Sequence, residues 1–336
     1  MKRDEYLGKL KTTLEQDDFA QVEEAISYFD ELLQDRMDDE GLNEEEAVGK
    51  MEAPEVVAAR LREGREKERQ AAQAPEPEGE QPFKGIKTIQ VKADQARLIR
   101  VRDRNTRLIV RSGEGEDIII RHPESERIRY SFTLEDGRLS LLREPFDLSS
   151  MFFSFDFLSR EMWEVTIQVP HELAAEMDLR TSNAKMDLEG FACWGQILAV
   201  TSNASVTVKD VDAKRLELQS SNGTMNLDKV TSRQDLKAVT SNAKITAEAV
   251  SAPQSLTLKT SNGGIRVSRL DSAAISLITS NAGIKGSLPG KMEDYTVKSG
   301  TSNGKNNLPN ERAGGAKTLN VKTSNANISL EFDGGQ

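Results

Sequence analysis

The eight residues TSNAKMDL, 181–188, recur with variation through the second half of the chain. The related strings are TSNASVTV from 201, SSNGTMNL from 220, TSNAKITA from 240, TSNGGIRV from 260, TSNAGIKG from 279, TSNGKNNL from 301 and TSNANISL from 323. Take the asparagine of each as position 0: Asn183, Asn203, Asn222, Asn242, Asn262, Asn281, Asn303 and Asn325, spaced by 20, 19, 20, 20, 19, 22 and 22 residues. A period near twenty is the signature of a stacked, coil-by-coil architecture.

Alternation shows what each coil is made of. Position −6 is Met177, Ile197, Leu216, Leu236, Leu256, Ile275, Val297 or Leu319, position −4 is mostly Leu, Ala or Val, and position −2 is Thr or Ser in all eight repeats. After the asparagine, position +3 is Met186, Val206, Met225, Ile245, Ile265, Ile284, Asn306 or Ile328, and +5 is mostly Leu or Val. Period-two patterning of this kind describes strands with one buried face. Phe191, Val211, Val230, Val250 and Leu270 at +8 add a further apolar row.

A strand, a corner, a strand and a second corner per coil predict a single-stranded parallel β-solenoid, a β-helix in which each strand pairs with its equivalent one coil away. Eight coils at about 4.8 Å per step span roughly 35 Å. Carried through the corner, the same parity places the asparagine on the inner face with the −2 threonine, and the serine outside. The expectation is an inward Asn/Thr ladder of stacked amides and hydroxyls. Asparagine also tolerates a left-handed corner, and the following Ala or Gly leaves room for the bend. The eight asparagines are therefore expected to be structural rather than a binding code.

Upstream, IKTIQVKA, RLIVRSG, DIIIRH, RIRYSFTLEDGRLSLL and WEVTIQVP read as strands, so 83–170 is the irregular start of the same domain and 171–334 its regular part. RLIVRSGEGEDIII looks like a degenerate coil cornered at Ser112-Gly113, and Asp136-Gly137 suggests a hairpin. The TSNA/TSNG repeats, preceded by a strand ending in proline (VTIQVP), resemble a bacterial β-strand-repeat family labelled "putative adhesin", over about residues 84–334. The label implies export and surface binding. However, MKRDEYLGKL has no apolar signal core, and no run approaches the ~18 apolar residues of a membrane span.

The first part of the chain differs. Residues 1–80 hold 11 Lys+Arg against 24 Asp+Glu, net −13, which leaves 34 against 31, net +3, for the rest. Such an acidic head argues against nucleic acid as its partner. Tyr6, Leu7, Leu10 and Leu14, then Phe19, Val22, Ile26, Phe29, Leu32 and Leu33, fall at helical spacing. Asn43 followed by three glutamates reads as a helix start, as does Pro54. The stretches EYLGKLKTTL, EEAISYFDELLQDRMDDEGLNEEEAV and MEAPEVVAARL resemble the HAAS domain, a small helical bacterial module, over residues 1–65. The resemblance implies a signalling role, in proteins often encoded beside PadR-type regulators. Residues 66–82, charged and proline-bearing, read as a linker.

Chemistry is sparse. The outward +4 row (Asp187, Thr207, Asn226, Thr246, Arg266, Lys285, Asn307, Ser329) carries no acidic cluster of the kind polysaccharide-cleaving β-helices use. His122 and His171, each beside a proline, read as surface residues, and lone Cys193 as a small buried hydrophobe in a reducing compartment. No phosphate loop, nucleophile elbow or metal spacing occurs, so neither catalytic group, cofactor nor metal is expected. One stretch breaks the pattern: FDLSSMFFSFDFLSREMW, 146–163. Phe152, Phe153, Phe155 and Phe157 would either cap an open end of the solenoid or dock on a membrane surface or partner.

The sequence thus points to a non-enzymatic cytoplasmic scaffold, associated with the inner membrane face or not. A protein partner is expected on the helical head. The alternatives are an adhesin or glycan-binding module, and a protein that binds membrane surfaces through the Phe-rich loop. An uncapped last coil would favour a homo-oligomer.

Overall fold

Because inward and outward side chains alternate so regularly, the strands can stack only in register. The computed structural model shows this stacking from coil to coil. It describes residues 1–334 other than 18, 20, 21, 24, 27, 28, 31, 32, 34–36, 38–41, 72–84, 126, 127 and 145–163, and the side chains of 63–71 are likewise not described. The protein is mainly β, with a helical N-terminal part, and its strands belong to one large hydrogen-bonded sheet.

Two series of parallel strands run through the repeats. In the first, Glu176–Arg180, Ala192–Val200, Val206–Gln219, Asp235–Val239, Ser255–Lys259 and Ala274–Ile278 pair in that order. In the second, Met186–Glu189, Val206–Gln219, Met225–Ser232, Ile245–Ser251, Ile265–Asp271 and Ile284–Leu288 do the same. Residues at −6, +3 and +8 pair with their own equivalents, as in Met225↔Ile245 and Val230↔Val250. These positions form one continuous core from Val91 to Leu330. Each fully buried aliphatic side chain contributes about 1.5–3 kcal/mol, so every coil needs its neighbours to remain folded.

The stack order departs from chain order at both ends. Ala274–Ile278 pairs with Lys317–Lys322 rather than with Tyr295–Gly300, and Tyr295–Gly300 pairs with the far side of Lys317–Lys322. The coil carrying Asn325 therefore lies inside the one carrying Asn303, which corrects the expectation of simple succession. Position +3 explains the exchange. Ile328 fills the core there, whereas Asn306 turns its amide to Ser299 Oγ, 2.8 Å away, and suits only a terminal coil. Glu311–Arg312 then closes that end by antiparallel pairing with Val297 and Lys298.

At the other end Leu98–Arg102 lies between Arg138–Arg143 and Glu176–Arg180, and Arg107–Ser112 between Glu164–Val169 and Met186–Glu189. The corner of this inserted coil is therefore 103–106, with Asn105 at position 0, and not Ser112-Gly113. Tyr130–Glu135 and Arg138–Arg143 form a hairpin turned by Asp136 and Gly137, both at positive φ.

The asparagines do not lie on the inner face. Asn183 is half-buried and the other seven are exposed, while Thr181, Thr201, Thr240, Thr260, Thr279 and Thr323 are buried. The inward Asn/Thr ladder is thus corrected to an inward threonine row beside an outward asparagine row. Strand parity holds only in extended backbone, and the strands end before the TSN corner. Nor do the asparagines take the left-handed conformation. It falls at +7, on Gly190 (φ 75°), Asp210 (51°), Lys229 (51°), Ala249 (51°) and Arg269 (53°), at the bend before the +8 row.

The helical part has its own core of Tyr6, Leu10, Leu14, Phe29, Leu33, Ala47, Val48, Val57 and Leu61. Helices Arg3–Gln16, Glu44–Gly49 and Pro54–Ala71 contribute to it. Asn43 and Glu46 form a reciprocal capping box, at 3.0 Å in each direction.

Glycine is required where coils approach most closely. A Cβ on Gly263 would stand 1.7 Å from the carbonyl oxygen of Ala243. Gly263→Ala should cost about 3 kcal/mol through forced backbone displacement. Ala249→Gly should instead raise stability by about 0.5 kcal/mol, because it relieves a left-handed alanine. Urea unfolding of the two variants beside the parent checks both signs.

Candidate functional site

The repeated corner is the most regular surface feature of the β part. Each asparagine Nδ2 donates to the Oδ1 of the preceding asparagine in the stack: 2.6 Å from Asn203 to Asn183, and 2.7 Å from Asn222 to Asn203, Asn242 to Asn222, Asn262 to Asn242 and Asn281 to Asn262. The end coils join in stack order, Asn325 to Asn281 at 2.7 Å and Asn303 to Asn325 at 2.8 Å. Asn183 donates to Asn105 at 2.9 Å, which adds a ninth member. Asn105 lies 78 residues upstream of Asn183, far outside the period; its signal is the local pattern of Asn105 followed by Leu108 and Val110 at +3 and +5.

Beneath this row the threonine hydroxyls hold the corner backbone. Thr240 Oγ1 donates to the Gly223 carbonyl at 3.1 Å, Thr260 to Ala243 at 3.0 Å, Thr279 to Gly263 at 2.9 Å and Thr323 to Ala282 at 3.0 Å. At the inserted first coil, buried Asp103 takes the threonine's place. Its carboxylate accepts from the Thr106 backbone N–H at 2.9 Å and from the Tyr130 hydroxyl, and Arg143 lies 3.5 Å away. Burial, with the Asp103 charge beside it, holds the Tyr130 hydroxyl protonated far above its ordinary range.

His122 is not at the surface. It is buried, tilted against Tyr130 with ring centroids 4.8 Å apart, and its Nδ1 lies 3.1 Å from the Pro123 carbonyl. Strand Asp117–Glu124 turns alternate residues into the core, and His122 falls on the inward parity. Burial depresses its pKa. His171 is exposed. Cys193 is buried with its thiol 3.1 Å from the Ala175 carbonyl, and burial pushes its pKa up to about 11, so the thiolate is inaccessible at neutral pH.

Among the described residues no group of three or more His, Cys, Asp or Glu is placed to hold a metal ion. No described helix is long and apolar enough to cross a membrane. Phe152, Phe153, Phe155 and Phe157 lie outside the described residues. Among the described residues of the β part Trp194 is an exposed aromatic; it is 50% exposed, with the Arg233 guanidinium 3.5 Å from its ring centre.

A stacked-coil β domain with these corners defines the class. The chain belongs to the Toastrack DUF4097 family, whose model matches residues 97–332. No curated protein matches it. Among solved structures, a "putative adhesin" from Parabacteroides merdae is 14% identical, covers 73% of this chain and 96% of its own length, and has a TM-score of 0.38. One from Parabacteroides distasonis is 12% identical over 74% of this chain and 97% of its own, with a TM-score of 0.37. A "putative cell adhesion protein" from Clostridium sporogenes is 14% identical over 75% and 100%, with a TM-score of 0.25.

Two predictions follow the geometry. Asn242 both donates to and accepts from its neighbours, whereas Asn303 makes a single amide bond at the end of the row. Asn242→Ala should cost about 1–2 kcal/mol and Asn303→Ala about half as much, measured by urea unfolding. His122, with its folded pKa below the ordinary 6.5, binds its proton less readily folded than unfolded. Stability should therefore be complete above pH 6.5 and fall as the pH drops below it toward the lower folded value. Thermal unfolding from pH 7.5 to 5 should show a shallower fall for His122→Gln than for the parent.

Proposed function

We propose that this protein is a non-enzymatic interaction scaffold. Its β domain is a parallel β-solenoid stiffened by an asparagine ladder, and its N-terminal helices form a HAAS-like module that engages a protein partner. The observation that carries the reading is the use of side chains at the corner. The most regular polar groups on the surface are committed to one another along the stack, and the buried hydroxyls beneath them are committed to the backbone. That chemistry favours rigidity and a fixed spacing rather than turnover of a substrate. The acidity of the first eighty residues, net −13, supports a basic protein surface as the partner of the helices.

The scaffold is proposed to work in the cytoplasm, where such a helical module would meet a regulatory protein. Crosslinking and capture from the native cell, with the full chain beside a version lacking residues 1–82, tests this. A partner protein recovered with the full chain and lost with the truncated one is the expected result. Recovery of surface glycans alone, or exposure of the protein to protease on intact cells, would replace the scaffold reading with that of an adhesin.

A further inference from the structure

Across adjacent strands, like charges are normally kept apart, because facing cations a few ångströms from each other repel. The first coils break this rule. Arg102 of Leu98–Arg102 stands directly opposite Arg180 of Glu176–Arg180, and Arg100 directly opposite Asp178. Three guanidinium groups therefore converge on one carboxylate. Arg102 Nη2 lies 2.5 Å from Asp178 Oδ2, Arg180 Nε 3.2 Å from Oδ1 and Arg100 Nε 3.6 Å from Oδ2.

The three arginines are not equally engaged. Arg102 is held on all sides: Nη1 donates to the Val101 and Asp178 carbonyls and Nη2 to the carboxylate. Among the described residues Arg180 donates through Nε alone, and neither Nη group has an acceptor. Arg100 lies too far from Asp178 for a hydrogen bond, and its Nε is a buried donor with no partner. That Nε is itself closed to solvent, so the part of the Arg100 guanidinium open to a ligand is its remaining, exposed edge.

Among the described residues, the positions directly in register on either side of the group are uncharged. Arg100 and Arg102 face Ser140 and Leu142 on their other side, and Asp178 and Arg180 face Leu198 and Val200 on theirs. Within the contacting group three cations and one anion leave an excess of two positive charges, with Glu176 next along the same outward row. The arginines remain open to solvent, with side chains 35% exposed for Arg100 and 46% for Arg180, while Asp178 is only 16% exposed. Asp178 thus acts as an internal post that holds the guanidinium groups.

We propose that Arg100 and Arg180 form a clamp for a phosphate monoester, with Arg102 and Asp178 fixing its geometry. The charge argument selects the ligand. A phosphate monoester carries about −1.5 to −2 at neutral pH, matching the excess of two, and it presents three acceptor oxygens to two planar donor forks. A single carboxylate would neutralise only half of that charge. The clamp stands apart from the scaffold reading, since it needs no catalytic group and no contact from the helical part.

The test uses the full-length protein, titrated with inorganic phosphate and with glycerol 3-phosphate by calorimetry, and with vesicles of phosphatidic acid in phosphatidylcholine by sedimentation. Parent and Arg100→Gln/Arg180→Gln proteins are compared at fixed ionic strength. Saturable binding that weakens at least tenfold in the double variant is the expected result. It should tighten from pH 5 to 7.5 as the phosphate loses its second proton near pH ~6. Binding to the soluble anions assigns the clamp to a small phosphorylated molecule. Binding to the phosphatidic acid vesicles alone, lost in the same variant, assigns it to a lipid headgroup. The proposal is overturned if neither probe binds, or if the double variant, still folded by circular dichroism, binds as the parent does. Arg102→Gln, which removes a positioning residue, should weaken binding less than the double variant and leave its pH dependence in place.

Discussion

Everything in the β domain depends on keeping neighbouring coils at one spacing through the corner, where the ladder hydrogen bonds of a strand are interrupted. The serine carbonyl solves this. Ser202 O accepts from the Ser221 N–H at 3.1 Å and the Asn222 N–H at 2.8 Å of the next coil, and Ser221 O accepts from Ser241 and Asn242 in the same way at 3.1 and 2.9 Å. One carbonyl oxygen with two lone pairs thus satisfies two consecutive donors at the sharpest point of the turn. Threonine inside and asparagine outside then bracket that carbonyl, so the polar corner is paired on both its faces. The tripeptide repeats because each of its residues has a separate duty toward the adjacent coil: hydroxyl, carbonyl and amide.

The rows at −6, −4, +3 and +5 could be read from the sequence because extended backbone turns successive side chains to opposite faces, and the +8 row because its apolar residues recur, although the left-handed residue at +7 breaks the alternation before it. The orientation of the asparagines could not. Parity is a property of strands, and Asn242 or Asn262 sits where the strand has already ended. Nor could Asn105 be paired with Asn183, since proximity there is set by where the inserted coil lies in the stack and not by period. His122 misleads for the opposite reason: a histidine before proline looks like a turn residue, yet here it continues a strand and faces the core. The Arg100, Arg102, Arg180 and Asp178 group is likewise invisible along the chain, because its two halves are 76 residues or more apart and meet only through parallel pairing.

The two kinds of polar cluster differ in what they leave over. In the amide row each asparagine beyond Asn105 donates to the next amide oxygen, and the net charge is zero. Around Asp103 the polar groups are buried but mutually satisfied: a carboxylate, a hydroxyl and a guanidinium close on one another. The arginine group keeps charged guanidinium donors on a face open to solvent. Its departure from ordinary cross-strand pairing is local, and the coils on either side keep uncharged residues in register with it.

The insertion of Lys317–Lys322 between Ala274–Ile278 and Tyr295–Gly300 has a consequence for how the molecule is made. A ribosome delivers Tyr295–Gly300 before Lys317–Lys322 exists, so until then only the short antiparallel contact with Glu311–Arg312 can pair its main chain. A simple stack would grow by adding coils and would tolerate an unfinished end. Here a later segment is a keystone, set between two older ones, and a chain stopped before it leaves Ala274–Ile278 without its partner on that side instead of forming a shorter but closed domain. Closure of this end of the β domain therefore waits on Lys317–Lys322 and does not follow the order in which the coils are made.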